Sequence, residues 1–526
     1  MKRDEHGIGQ LIVGRKTSLS LRRNILASYA SQLYVTLVGI FILPLYLKYM
    51  GAEAYGLVGF FTMLQAWFNL LDIGLTPTVA RETARFNGGA TNALSYRRLL
   101  RALQLIFFTV ALLGGGAMFV FSGVIADRWL NVQTLPLAQV QLALQLIAAS
   151  VALRWMSGLH RGCISGSERL VWLGGFNAFV ATLRFVGVLP VLIWVGHTPT
   201  VFFTYQLLVA VVELAGLAAK SYRLFPPVPP GQLLGWSPTN LFAPINPLLK
   251  FSLSIAFTSS VWVLVTQTDK LVLSKFLPLS DYGYFTLAVL AASGVMMISG
   301  PISSALLPRM SRLSAAGDDE GMINLYRNAT QLVGVIAIPA ALVLAFFAEQ
   351  VLWAWTGDAE VARKTAPVLT LYALGNGILV MGAFPYYLQF AKGDLKLHLI
   401  GNLLLVLLLI PSVILAAWHY GGIGAGYAWL SANVLYFLFW VPVVHRHFMK
   451  GLHSRWLLRD LGTTVALAVF SVSLADFFIS WPDERSFLIL AIFMVSLAIV
   501  VIASLGSSWV RKEIIRKWRV IFLCCR

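Results

Sequence analysis

From Ile25 onward, apolar runs of about 20 residues follow one another with only short polar breaks between them. No other feature of the sequence restricts the fold so tightly. An α-helix rises 1.5 Å per residue, so each run spans the roughly 30 Å of hydrocarbon in a bilayer. The runs lie at about 25–47, 56–79, 100–121, 138–159, 170–195, 201–219, 250–273, 283–307, 329–352, 366–390, 397–417, 424–444, 461–480 and 487–508. With 58% hydrophobic and 12% charged residues, the chain lacks the polar surface a soluble domain needs. Lipid is the solvent it suits, and a backbone in lipid must satisfy its own hydrogen bonds. The expectation is an all-α integral membrane protein of about 14 transmembrane helices.

Charge placement predicts an orientation. Of the 40 Lys and Arg, 32 fall on the side of residues 1–24 when charges at span ends are counted with the nearer loop. Seven fall on the other side, and Arg184 alone lies deep in a span. The positive-inside rule then puts both termini in the cytoplasm. Trp129, Trp353, Trp355, Trp418 and Trp481 fall at the opposite ends, where interfacial anchors belong. The net charge of +18 is accounted for by these loops facing an anionic leaflet, so no nucleic-acid partner is expected.

The spans divide into two sets. Tyr55-Gly56 recurs as Tyr282-Gly283 and Lys48 as Lys275; Gly166 and Arg169 recur as Gly393 and Lys396. Each pair is 227 residues apart, and Pro77 before Arg81 is echoed by Pro308 before Arg309. One constant offset in separate loops points to two copies of a six-helix bundle in the same orientation. The expected organisation is a cytoplasmic N-terminus at 1–24, an N-lobe at 25–219, a cytoplasmic Pro-rich linker at 220–249 and a C-lobe at 250–444. Helices 13 and 14 then occupy 461–508 and a basic tail 509–526. Paired bundles of this kind suit a carrier with its substrate at their interface.

The motifs needed for other chemistry are missing. The sequence has no GxxxxGK[ST] loop to hydrolyse ATP and no HExxH. Cys163, Cys524 and Cys525 form no CxxC or Cys/His cluster, so neither a disulfide nor a metal is expected, and no cofactor is implied. The Cys524-Cys525 pair is a weak candidate for lipidation. Asp318-Asp319-Glu320 reads as a solvated loop, and with no loop longer than about 30 residues there is no room for a catalytic domain.

Ionisable residues inside the membrane are costly, which makes them the candidate site. Arg184 lies about 14 residues into the fifth run, about 21 Å deep at 1.5 Å per residue. A guanidinium there needs water, an anion or a carboxylate. Phosphate binding and an ion pair with Glu213 are the two readings, although Glu213 sits at a depth about 9 Å different. Arg154, Arg81 and Lys270 are further candidates for an anionic substrate, with lipid headgroups as the alternative for Arg154 and Arg81. Asp72, Asp269 and Glu213 are candidates for binding a coupling ion; for Asp72 the alternative is a cap at a broken helix, and for Asp269 contact with interfacial water.

Six stretches carry a family resemblance. LKYMGAEAYGL from Leu47 to Leu57 and LDIGLTPTVAR from Leu71 to Arg81 resemble the first signature of bacterial Wzx-type polysaccharide and O-antigen flippases. These belong to the multidrug/oligosaccharidyl-lipid/polysaccharide (MOP) exporter superfamily. LHRGCISGSER from Leu159 to Arg169 resembles their loop after the fourth helix. Asp269 to Leu273, with Tyr282 to Phe285 and Leu307-Pro308-Arg309, resembles their seventh and eighth helices. The resemblance runs through roughly residues 20–450. It implies two pseudo-symmetric, MATE-like six-helix lobes plus two C-terminal helices in the bacterial inner membrane. The implied substrate is an undecaprenyl-pyrophosphate-linked oligosaccharide, an O-antigen or exopolysaccharide unit. Transport would be by alternating access driven by an ion gradient or the membrane potential. Implied partners are membrane lipids, a polysaccharide polymerase and a chain-length regulator. Two rival readings are a multidrug antiporter of the same superfamily, which needs acids rather than Arg184 in its cavity, and a non-transporting component of polysaccharide assembly. The sugar-porter architecture also has six plus six helices, but its basic motif between helices two and three is missing from Arg81–Arg101.

Overall fold

The structure is a computed structural model and describes residues 4–72, 74–228, 249–513 and 515–516. Pro229 and Pro230 of the expected linker, and Cys524 and Cys525 of the tail, lie outside the described residues. The described residues are almost wholly helical. Eleven segments are long and apolar enough to cross a membrane, from Ala27–Met50 to Arg485–Gly506. The protein is therefore a multi-pass membrane protein.

The expected 14 crossings are not all among these eleven. Lys396–Phe448, with 53 residues, contains two of them. A straight helix of that length would be about 80 Å long, far more than a bilayer is thick. The chain turns at Gly421, whose φ of 57° and ψ of −136° suit glycine and few other residues. The expected seventh and eighth runs lie in helices Leu249–Phe276, Leu279–Met297 and Ser299–Ala315, outside the eleven. The helix at the N-terminus is longer than its apolar part and begins at Asp4.

Contacts divide the chain into two compact units. One comprises Met1–Val263 with Pro278–Ser280; the other comprises Leu264–Leu277 with Asp281–Arg526. In the first unit, the Leu137–Gly166 helix packs against the Pro199–Tyr222 and Leu75–Asn87 helices, and the first helix packs against Leu170–Ala181. Glu53 anchors the loop after Trp129: its carboxylate accepts the N–H groups of Thr134 and Leu135, at 2.9 and 3.1 Å, and of Gln133. In the second unit, Asp319–Phe346 packs against Ala359–Gly382 and Thr463–Phe478. Large apolar side chains such as Phe470, Phe477, Phe493 and Leu497 point outward, as lipid requires.

Candidate functional site

The first unit gathers its charge around a break in a helix. The chain from Leu170 runs as an α-helix to Ala181, then widens into a π turn at Thr182–Val186 before Val188–Trp194 continues it. Pro190 has no N–H to offer the preceding turn, and a π turn likewise leaves carbonyls without their usual partners. Side chains from neighbouring helices take their place. Tyr46 donates its hydroxyl to the Phe185 carbonyl at 2.9 Å, Tyr205 to that of Leu183 at 3.0 Å, and Gln206 donates Nε2 to that of Arg184 at 3.0 Å. Gly187 makes room for this arrangement: a Cβ there would lie 2.3 Å from the Tyr205 hydroxyl and 2.6 Å from the Leu183 carbonyl oxygen.

The π turn carries Arg184. Its Nη2 donates to Gln65 Oε1 at 3.1 Å, and its guanidinium lies 5.3 Å from the Phe185 ring centre and 6.0 Å from that of Phe61. Arg154, on the Leu137–Gly166 helix, approaches the Phe61 ring to 5.0 Å. Phe61 and Gln65 are four residues apart and so share one face of their helix. Arg154 donates Nη2 to Gln206 Oε1 at 3.1 Å, which makes Gln206 a bridge between the two arginines.

Arg161 lies seven residues beyond Arg154, two turns along the same helix face. It donates to Asn177 Oδ1 and to Glu213 Oε1, both at 2.5 Å. Glu213 Oε2 is 3.8 Å from Arg154 Nε, an ion-pair distance but not a hydrogen bond. Arg154 is only 9% exposed, and its Nε and Nη1 have no hydrogen-bond partner among the described residues. Two guanidiniums, those of Arg161 and Arg154, thus share one carboxylate, while the third, that of Arg184, is held by Gln65.

The other candidates are placed differently. The Glu213 carboxylate is held by Arg161 and Arg154, so the simple Arg184–Glu213 pair considered from sequence is not what forms. Arg81 is on the Leu75–Asn87 helix, 44% exposed and 4.0 Å from Glu82. Asp72 ends a 3₁₀ turn and accepts the Thr76 N–H at 3.1 Å and its hydroxyl at 2.9 Å, so it satisfies a first-turn N–H of the helix that follows, whose N-cap is Gly74. In the second unit Asp269 is buried, 3.2 Å from Lys270 Nζ and accepting the Tyr372 hydroxyl at 2.5 Å. Lys270 also donates to the Thr266 carbonyl. The second unit also contains a cavity of about 360 Å³ among Leu342, Met381, Phe437, Leu461 and Val465, whose lining is apolar.

Arg161 was missed because its helix was expected to end near residue 159, which put Arg161 in a loop. The helix in fact runs to Gly166, and the seven-residue spacing from Arg154 was the available signal. Gln65, Gln206 and Asn177 are neutral, so a search for intramembrane charge passes over them.

The chain was compared with known proteins. Residues 234–359 match the family described as "Polysaccharide biosynthesis protein". The uncharacterized membrane protein EpsK of Bacillus subtilis (strain 168) is 24% identical over 486 residues, 88% of this chain and 91% of that one. The fold is similar to that of the lipid II flippase MurJ in an inward closed conformation, with a TM-score of 0.71 at 15% identity over 91% of this chain and 98% of that one. It is also similar to an inward-facing multidrug resistance MATE family transporter of the MOP superfamily, with a TM-score of 0.60 at 16% identity, covering 79% and 96%.

Proposed function

We infer, from a chain whose family match, near-full-length relative and fold together support a polysaccharide flippase-type family of the MOP superfamily, that this protein flips an undecaprenyl-pyrophosphate-linked oligosaccharide across the bacterial inner membrane. The observation that carries this reading is the surplus of cations around the Arg184 turn. Arg154 and Arg161 share one carboxylate, Arg184 adds a third cation on the π turn, and Nε and Nη1 of Arg154 have no hydrogen-bond partner among the described residues. A guanidinium is permanently charged and offers planar pairs of donors that match phosphate oxygens. A pyrophosphate supplies both the charge and the acceptors this cluster lacks. The prenyl tail can stay in lipid while the polar glycan follows the headgroup. The polymerase and chain-length regulator remain the natural partners of such a carrier, and the destination is an O-antigen or exopolysaccharide.

A multidrug antiporter of the same superfamily fits less well. An organic cation needs a site rich in acid, and the single acid here, Glu213, is already held by arginine. Asp269, set against Lys270 and Tyr372, and Asp72, which accepts the Thr76 N–H and hydroxyl, are both committed to protein groups. Drive from an ion gradient or the membrane potential remains part of the reading, since no ATP-binding loop is present in the sequence.

The test is complementation. A flippase-null host carrying Arg184→Ala at wild-type protein level is expected to lose surface polysaccharide, with transport down on the order of 100-fold, as for loss of a buried charged contact. Normal polysaccharide at normal protein level would defeat the assignment.

A further inference from the structure

We propose that the groove between the Ala93–Val110 helix and the end of the Pro199–Tyr222 helix holds one anionic phospholipid of the surrounding membrane. Its phosphate sits against Arg97, Arg101 and Tyr222, and an acyl chain runs along the apolar walls beneath them. The site uses none of Arg154, Arg161 and Arg184, so it does not depend on what the protein transports.

The cations come from one helix. Ala93–Val110 starts after Asn92, whose side chain accepts the Ser95 N–H, and its first turns carry Arg97, Arg98 and Arg101 with no acid anywhere in the helix. Arg97, Arg101 and Gln104 follow one another at spacings of four and three, so they line one face. The Arg97 guanidinium lies 5.3 Å from the Phe225 ring centre, and its Nε is buried with no hydrogen-bond partner among the described residues. Stacking on a ring engages the face of a guanidinium and leaves its in-plane N–H groups to an anion. The neighbouring helices offer no spare carboxylate. Leu137–Gly166 contains none, Glu82 on Leu75–Asn87 is engaged by Arg85 at 3.2 Å, and Glu213 on Pro199–Tyr222 is held by Arg161.

The walls of the groove suit a lipid. Both helices pack on Leu137–Gly166, and Gln104 spans the gap between them by donating Nε2 to the Tyr222 hydroxyl at 3.0 Å. That hydroxyl keeps its own hydrogen to donate. The Tyr222 and Phe225 rings meet edge to face, 5.1 Å apart, which brings the phenol and the Arg97 cation to one mouth. Deeper in the membrane the same two faces turn apolar and stay exposed. Phe108 lies one turn past Gln104, and Ala215, Val211 and Leu208 lie two, three and four turns before Tyr222. A phosphate with chains attached needs donors at the mouth and apolar walls below; a soluble anion has no use for the walls. This end of the unit is the one that the positive-inside rule assigns to the cytoplasmic leaflet, where anionic lipid attracts arginine. Arg85, 47% exposed and bound to Glu82, is an ordinary interfacial cation outside the groove and serves as its control.

Native mass spectrometry tests this by counting the lipid that stays bound. Full-length protein in detergent is mixed with equimolar phosphatidylglycerol and phosphatidylcholine before release into the gas phase. Wild type is expected to keep one phosphatidylglycerol, with a preference of about tenfold over phosphatidylcholine. Arg97→Gln/Arg101→Gln is expected to lose that preference, Tyr222→Phe to reduce it about threefold, and Arg85→Gln to retain it. Equal preference in wild type and the double variant would overturn the proposal. So would an equal loss in Arg85→Gln, which marks a diffuse surface effect. Two competitors separate the possible sources of phosphate. Displacement of phosphatidylglycerol by equimolar inorganic phosphate gives the site to a free anion, and displacement by equimolar farnesyl pyrophosphate gives it to a prenyl-linked one. Either result sinks the phospholipid assignment. Should the double variant fail to fold, Tyr222→Phe carries the test, and a preference unchanged from wild type is the contrary result.

Discussion

Each unit sets arginine against a buried carboxylate, but they partner it in different ways. In the second unit Arg327 is matched by Asp460, donating Nε at 2.7 Å and Nη2 at 3.0 Å to its two oxygens. Gln331 donates to the same carboxylate at 2.8 Å, and its own oxygen accepts from Ser507 and the Trp509 N–H, both at 2.9 Å. Here one cation meets one anion and polar neighbours complete the set. In the first unit two arginines meet one glutamate, and Nε and Nη1 of Arg154 have no hydrogen-bond partner among the described residues. A closed pair such as Arg327–Asp460 ties helices together. An open set of cations leaves donors that the protein's own carboxylate does not satisfy. The difference sets a closed pair in the second unit against an open one in the first, and it is to the open one that the proposed function assigns the substrate.

The comparison breaks first on stability. Asp460→Ala leaves Arg327 facing a buried gap and is expected to cost about 3–5 kcal/mol, whereas the double replacement Arg327→Met with Asp460→Leu recovers most of it. Arg154→Met in the first unit removes a partly satisfied cation, so stability is expected to hold or rise. Denaturant or thermal unfolding in detergent checks both. Arg154→Met proving as damaging as Asp460→Ala would make the two regions alike.

A smaller effect sharpens the same contrast. Gly187→Ala places a Cβ against the Tyr205 hydroxyl and the Leu183 carbonyl, and is expected to cost about 1–3 kcal/mol by overpacking. Tyr205→Phe in that background removes the hydroxyl and is expected to return part of the loss. If instead Gly187→Ala is neutral, the π turn that aims Arg184 is looser than its hydrogen bonds indicate.

Much of this was legible in the sequence, and the reasons are physical. Helices that meet lipid must be long and apolar, so the runs announced themselves, and Arg184 stood out because a charge in hydrocarbon is rare. Helix ends were harder to read. The Leu137–Gly166 helix keeps its hydrogen bonds past the apolar run, which is how Arg161 joined the cluster unforeseen. The kink at Gly421 and the π turn at Thr182–Val186 depend on tertiary partners such as Tyr46 and Gln206, which no local pattern records. The role of Asp72 was undecidable from sequence because a cap and an ion site use the same residue type; in the structure its carboxylate accepts the Thr76 N–H and hydroxyl.

In the proposed function the arginines of the first unit carry a pyrophosphate headgroup through the membrane. The most direct measurement is translocation of a prenyl-pyrophosphate-linked oligosaccharide in liposomes by purified wild type and by the Arg154→Gln/Arg184→Gln double variant. Flipping is expected from the wild type and none above the empty-liposome rate from the variant at equal reconstitution. Equal rates from the two proteins would contradict that function.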